Sequence, residues 1–284
     1  MRVYIIIVSE VMNGRLPSSS DVHTSAGVRA PAHIKIIRET GMFLVFSVMG
    51  IYMLYDIVYI LKNNYTSDEL RYSLRSVCRN FPYRKIWFYG GKPEGIEPDE
   101  MIEVVQTGSN KWQKVNSTLR LICQNDEITE NFWLFNDDFF IMQQVKGLDP
   151  MYAGTLEERV GRIRDRYGGR MTAYARQLKD SARILANNGC DTYDYALHVP
   201  MLINREKALK TLKKFGSCPM FRSLYGNHHR IGGVRIRDVK IQSEDKEPTG
   251  RETLLSTNDK AFGNGKVGEF IRAAFPDRCK YEVD

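Results

Sequence analysis

The stretch Phe132-Trp133-Leu134-Phe135-Asn136-Asp137-Asp138-Phe139-Phe140 constrains this chain more than any other. A four-residue apolar run predicts a buried strand, and two adjacent acids interrupt it before the aromatics resume. Carboxylates set between aromatic runs cannot be solvated like surface acids, so both stay ionised only beside a cation. A hard divalent ion with oxygen ligands, Mg2+ or Mn2+, bridging to a diphosphate meets that need. The bland alternative is a polar turn between two strands, which the aromatic flanks argue against. In an open α/β sheet, ligands bind beyond the carboxyl ends of the strands, and these acids fall at such an end.

The surrounding pattern alternates strands and helices. Residues 56–61 read as a buried strand, stopped by Lys62-Asn63-Asn64. Thr66-Ser67-Asp68-Glu69 has the form of a capping box. Leu70, Leu74, Val77 and Phe81 then follow at helical spacing, up to Pro82. Residues 85–89 predict a second strand closed by Gly90-Gly91, residues 102–105 a third, and Val115, Leu119 and Ile122 a second helix. This order predicts an α/β sheet with crossover helices. The second half is more helical, with eight basic side chains between Arg159 and Arg183. Asn204 is placed to cap a helix over residues 205–215 that Gly216 ends. Residues 217–235 read as loop, residues 239–241 as a short strand and residues 267–274 as a last helix. There is no internal repeat.

The first 52 residues read differently. Residues 14–33 are rich in Pro, Ser and Gly and suit a linker or a disordered segment. Residues 41–55 are fifteen uncharged residues, short of the roughly 20 that a membrane helix requires. No stable span is therefore expected. A marginal signal anchor and an upstream extension ahead of Met53 are the two readings of this leader, and the second is favoured. The domain expected is then 53–284, a nucleotide and metal half over 53–150 and an acceptor and phosphate-binding half over 151–284.

Composition narrows the classes further. With 43% hydrophobic and 26% charged residues, collagen-like, coiled-coil and wholly disordered architectures are excluded. Five dispersed cysteines without a C-x-x-C pair argue against a zinc site or a disulfide framework, and for buried free thiols in a reducing compartment. The net charge of +7 points to an anionic partner. Residues 201–240 hold ten Lys or Arg against two acids, and Arg222, His228, His229 and Arg230 fall there in a stretch read as a Gly-containing loop. Asp56, His198 and the pair Asn258-Asp259 say little when each is taken alone.

Together and in this order, the segments resemble the Stealth family of sugar-1-phosphate transferases, which includes capsular polysaccharide phosphotransferases and the lysosomal-enzyme N-acetylglucosamine-1-phosphotransferase. Asp56-Ile57-Val58-Tyr59 looks like the opening block, although Ile60-Leu61-Lys62-Asn63-Asn64 departs from the family's usual continuation. The most specific match is the long second block. Residues 70–76, Lys85-Ile86-Trp87, Asn116-Ser117 and Leu134-Phe135-Asn136-Asp137-Asp138-Phe139-Phe140 carry it. His198-Val199-Pro200 and residues 221–227 are similar to the third block. Ser256-Thr257-Asn258-Asp259 and residues 275–282 are similar to the fourth. The resemblance spans residues 56–284.

It implies an α/β, Rossmann-like nucleotide-diphosphosugar transferase core of the GT-A kind with a helical C-terminal portion. The implied reaction moves a sugar-1-phosphate from a UDP-sugar to a glycan hydroxyl and releases UMP. Asp137 and Asp138 would hold Mg2+ or Mn2+, and Asp56 would face the same site from the first strand. His198 would act as base, and Arg222 would clamp phosphate oxygens. Of Arg71 and Arg75, one would face the diphosphate and the other solvent. Asn116, Asn136, Asn258 and Asp259 would complete the substrate contacts. The expected location is cytoplasmic, extending to the inner face of a membrane. The runner-up is a GT-A glycosyltransferase that transfers the sugar itself to a glycan or a modified DNA base and releases UDP. A nucleic-acid partner is not favoured. A basic binding module with structural acids is the non-enzymatic alternative.

Overall fold

The computed structural model describes the backbone of residues 36–39, 42–47 and 50–51, and both backbone and side chains of residues 54–63, 68–216 and 218–283. The chain divides into two units, 1–54 and 55–284. In the first, β1 (Ile36–Glu39), β2 (Met42–Ser47) and β3 (Gly50–Ile51) pair antiparallel in that order. The uncharged run over 41–55 thus carries strands where a membrane anchor would need a helix. Among the described residues no helix is long and apolar enough to cross a membrane. The linker reading of 14–33 and the start at Met53 lie outside the described residues.

The second unit follows the alternation read from the sequence. β4 (Asp56–Ile60) leads through α1 (Glu69–Asn80) to β5 (Ile86–Gly90) and β6 (Glu100–Glu103), and α2 (Lys111–Gln124) returns the chain to β7 (Asn131–Phe135). Then come β8 (Phe139–Ile141), β9 (Met151–Tyr152), α3 (Leu156–Arg166), α4 (Ala173–Asn187), β10 (Met201–Asn204), α5 (Arg205–Phe215) and α6 (Phe221–His228). β11 (Val234–Arg235), β12 (Lys240–Ile241), β13 (Leu254–Thr257), α7 (Asp259–Asn264) and α8 (Lys266–Ala274) complete it. The main sheet has the order β10-β7-β4-β5-β6, parallel except for β10. This mixed α/β arrangement with a parallel-rich sheet is compatible with a Rossmann-like fold.

Period-two alternation explains the core. Ile57 and Tyr59 point to one face, where Leu70, Leu74 and Val77 of α1 cover them. Val58, Trp87 and Tyr89 point to the other, against Leu119 and Ile122 of α2 and Leu212 of α5. Each such side chain contributes about 1.5–3 kcal/mol by leaving water. Gly90 adopts φ +135°, and a Cβ on Gly90 or Gly91 would collide with the backbone of Leu61 or Asn63. The Gly-Gly pair therefore lets β5 end pressed against the end of β4.

The chain leaves β4 toward β5 and β6, then comes back to β7 on β4's other side. The crevice beyond the carboxyl ends of β4 and β7 is the topological switch point, where open α/β sheets bind ligands. Because β10 runs antiparallel to β7, with Met201 opposite Leu134, residues 197–200 enter from that same end.

A second sheet, β12-β13-β8, builds the wall of this crevice. One edge of β8 pairs with β13, and α1 satisfies the other with side chains. Ser73 Oγ donates to Phe139 O at 2.6 Å, Ser76 Oγ accepts from Ile141 N at 3.0 Å, and Asn80 Nδ2 donates to Ile141 O at 2.6 Å. Glu69, one turn ahead of Ser73, accepts from Thr257 Oγ1 on β13 at 2.6 Å.

Of two local readings, one is corrected. α1 starts at Glu69 with Asp68 at its N-cap, and the capping box falls on Thr66, outside the described residues. Glu69 also reaches across to β13 in a tertiary contact. The stretch read as loop over 217–235 contains α6, because Phe221, Leu224 and Tyr225 bury a helical face. Ser73→Ala removes the donor to a buried carbonyl of β8. It should lower stability in urea unfolding by about 1–3 kcal/mol, whereas no change would show that α1 does not hold β8.

Candidate functional site

β7 runs directly into the turn Asn136-Asp137-Asp138, closed by Phe139 N donating to Asn136 O at 3.3 Å. Asn136 is exposed, Asp137 half-buried and Asp138 buried. Asp138 Oδ2 accepts from Lys240 Nζ at 2.8 Å and from Ser256 Oγ at 3.2 Å. Its Oδ1 is buried with no hydrogen-bond partner among the described residues. Glu69, only 2% exposed, lies behind. Burial chiefly raises its pKa to about 7 against the Thr257 hydrogen bond, and the negative charges of Asp138, Asp137 and Asp259 add to the rise.

His198 forms a pair with Asp238. The carboxylate takes the His198 backbone N at 3.1 Å through Oδ1 and the ring Nδ1 at 2.8 Å through Oδ2. Burial works to raise the Asp238 carboxyl, but its hydrogen bonds and charge contact with His198, aided by Arg159, outweigh burial and hold it low. An anionic Asp238 keeps the Nδ1 proton on the ring, which leaves Nε2 as the basic nitrogen.

Arg222 lies between these groups and turns three of its five N–H donors to the backbone. It donates to the carbonyls of Leu197, Val199 and Leu134, and its guanidinium lies 5.4 Å from the centre of the Phe139 ring. It thereby ties the end of β7 to the segment bearing His198. Burial pulls its pKa down to about 10, partly offset by Asp138 and Asp238, so it stays charged at neutral pH. The expected phosphate clamp is a backbone brace in this geometry.

A cavity of about 750 Å3 adjoins Asp238, within the range of small-molecule sites. Arg159, Arg162 and Arg166 of α3 line it with Arg235, Arg237 and Lys240. Four carboxylates engage these six cations. Arg159 pairs with Asp194 at 2.8 Å and Asp238 at 3.9 Å, Arg162 and Arg235 share Glu158, and Lys240 holds Asp138. The cavity thus keeps a positive excess of two, which matches the charge of a diphosphate diester.

Several expected site residues lie elsewhere. Asp56 begins β4 opposite Phe132, at the amino end of the sheet, whereas Asp137 and Asp138 follow its carboxyl end. There it is fully buried, bound by Arg84 at 2.7 and 2.6 Å, by Trp87 Nε1 at 3.1 Å and by Thr129 N at 3.0 Å. Arg75 grips Glu282 through two bonds of 2.7 Å, and Arg71 bonds the carbonyls of Gly95 and Glu94. Arg71 and Arg75 therefore anchor neighbouring segments, and neither stands in the crevice or in open solvent. Asn116 donates to the carbonyls of Gly216 and Cys218, joining α2 to the end of α5. Asn258 and Asp259, by contrast, stay beside the site directly after β13: Asn258 caps α7 by accepting from Ala261 N at 2.8 Å, and the exposed Asp259 is among the charges that raise Glu69. His229 bonds Thr211 and the carbonyl of Lys207, and Lys207, Lys210, Lys213 and Lys214 of α5 are exposed. The surplus of 201–240 is thus split, and only Arg235, Arg237 and Lys240 of it line the cavity.

The sequence reading missed Asp238, Lys240, Glu69 and the three arginines of α3 as site residues. The α3 arginines had a legible signal, since Arg159, Arg162 and Arg166 recur at helical spacing and so share a face. Asp238 and Glu69 had none, because each acts through a residue far along the chain.

Because the folded Glu69 carboxyl titrates near 7 and the unfolded one near 4.5, the native state holds the extra proton between these values. Stability must therefore fall as pH rises from about 4.5 to 7. Glu69→Gln should abolish that loss, which is on the order of 2–3 kcal/mol, in urea titrations across this range. An unchanged slope in the variant would remove Glu69 as its source. No protein-family model matches the chain and no curated protein matches it, so its functional reading rests on these residues and their geometry.

Proposed function

We propose that the chain is a transferase that moves a sugar-1-phosphate from a UDP-sugar to an acceptor hydroxyl and releases UMP. The observation that carries this reading is the His198–Asp238 pair beside a cavity lined by six cations. A base held by a carboxylate suits deprotonation of a hydroxyl, and a net positive cavity suits a diphosphate. The resemblance to the Stealth transferases adds the nature of the donor, and the crevice at the switch point is where a nucleotide-sugar transferase of the GT-A kind binds its donor.

In this reading His198 Nε2 takes the acceptor proton as the hydroxyl oxygen attacks the sugar-bearing phosphorus. The P–O bond to UMP breaks, and the electron pair leaves on UMP. Asp238 orients the imidazole and offsets the charge that forms on it. Arg159, Arg235, Arg237 and Lys240 stabilise the charge spreading over the phosphoryl oxygens. Arg222 acts from beneath, holding His198 and the end of β7 in one register.

Asp137 and Asp138 are the residues that would hold Mg2+ or Mn2+. The buried Asp138 Oδ1 fits, since it lacks any partner among the described residues and such ions take one or two carboxylates together with substrate phosphates. Among the described residues no cluster of three or more His, Cys, Asp or Glu is set to grip an ion alone, so substrate oxygens would complete the sphere. When bound, the cation would neutralise the diphosphate and ease departure of UMP.

The test is incubation with a panel of UDP-sugars, Mg2+ or Mn2+ and hydroxyl acceptors, with nucleotide products resolved by mass. UMP is the expected product. His198→Ala should lower kcat by about 10²–10⁴-fold, and Asp238→Asn should lower it less. UDP in place of UMP would replace this reading with glycosyl transfer, and full activity of His198→Ala would remove the base assignment.

A further inference from the structure

Two of the five cysteines face each other across a sequence separation of 201 residues. Cys78 lies in the last turn of α1 and Cys279 in the C-terminal turn, and their side chains are near enough to interact. The meeting is templated. Arg75 stands one turn before Cys78 on α1, and Glu282 stands three residues after Cys279. The two-bond Arg75–Glu282 fork fixes the C-terminal turn against the helix, and Glu282 Oε1 also accepts from Cys279 N at 2.9 Å. Both residues are half-buried at the edge of the core.

We propose that Cys78 and Cys279 are a redox site, closing to a reversible disulfide that locks the C-terminal turn onto α1. The surroundings divide the two roles. Contact with Cys279 chiefly lowers the Cys78 pKa against burial, with help from Tyr83 and Lys280, while Cys78 raises that of Cys279. Tyr83 OH lies 3.4 Å from Cys78 Sγ, and Tyr281 OH bonds Tyr83 OH and Asp99. Lys280 Nζ lies 4.6 Å from the centre of the Tyr281 ring and 3.8 Å from Asp99. With the Tyr83 hydroxyl placed to hold its thiolate, Cys78 is the attacking thiol and Cys279 the resolving one.

With oxidised glutathione as oxidant the balance is complete. The Cys78 thiolate attacks one sulfur of the glutathione disulfide and expels the first glutathione thiolate. Cys279 then gives up its proton and attacks the Cys78 sulfur, expelling the second. Two protein thiols are oxidised to one disulfide while one glutathione disulfide is reduced to two thiols.

The test uses the full chain, reduced and then incubated with oxidised glutathione, with peptides mapped without reduction. A single Cys78–Cys279 cross-link is expected, reversed by dithiothreitol and accompanied by a higher melting midpoint. In the reduced chain Cys78 should react with iodoacetamide at pH 7 roughly tenfold faster than an unperturbed thiol. Cys123, buried and pushed up to about 12, should stay unreacted. The triple variant Cys123→Ser, Cys190→Ser, Cys218→Ser should still form the bridge, and Cys279→Ser should stop at the mixed disulfide. In the wild-type map, a different pairing, glutathione left on Cys78 or five free thiols would each overturn the proposal.

Discussion

The polar stripe of α1 holds the rest of the site in place. Glu69, Ser73, Ser76 and Asn80 fall on one helical face and are buried. They hydrogen-bond β8 and β13 where a purely apolar helix would leave the β8 edge unsatisfied in the interior. Serine and asparagine are weak helix formers, so the stripe gives up helix propensity for tertiary fixation. Through it the strand leaving Asp138 is clamped on both sides, and β13 delivers Ser256 to the Asp138 carboxylate. The other, apolar face of the same helix packs on the main sheet, so one element sets both the core and the crevice.

Charge is arranged around this scaffold in matched steps. Lys240 meets Asp138, Asp238 meets His198, and Arg222 sits between with three of its donors spent on backbone carbonyls. A half-buried guanidinium that bonds three carbonyls acts as a strut, because each charge-assisted bond ties one segment to the same rigid plane. Its position fixes the distance between the strand that ends in Asp137-Asp138 and the segment that carries His198. The α3 arginines approach from another element, and Lys240 links the cavity they line to Asp138 at the end of β7.

The alternation of strand and helix up to residue 140 was legible because each element there has a clean period and the sheet is buried on both faces. Asn204 caps the start of α5 as its local chemistry demands, and α5 ends at Gly216, which keeps a right-handed φ of −64°. α6 was not legible: its glycine and paired histidines read as loop, whereas its helical face is decided by packing on α4 and α5. Acidic residues near apolar runs were the least reliable guide to the site. Asp56 and Asp138 look alike in sequence, yet one begins a strand and the other follows one, which puts them at opposite ends of parallel neighbours. The arginines of α1 likewise suited a phosphate until the C-terminal Glu282 reached them. His198 had significance only once residue 238 stood beside it.

The most direct measurement of the central claim, that His198 adjoins a diphosphate site, is nuclear magnetic resonance of 15N-labelled histidine during titration with UDP. The account predicts saturable shifts of the His198 ring nitrogens, with His228 and His229, which pack among α5 and α6, left in place. Saturable UDP binding that leaves His198 unmoved, or that moves only His228 and His229, would contradict it.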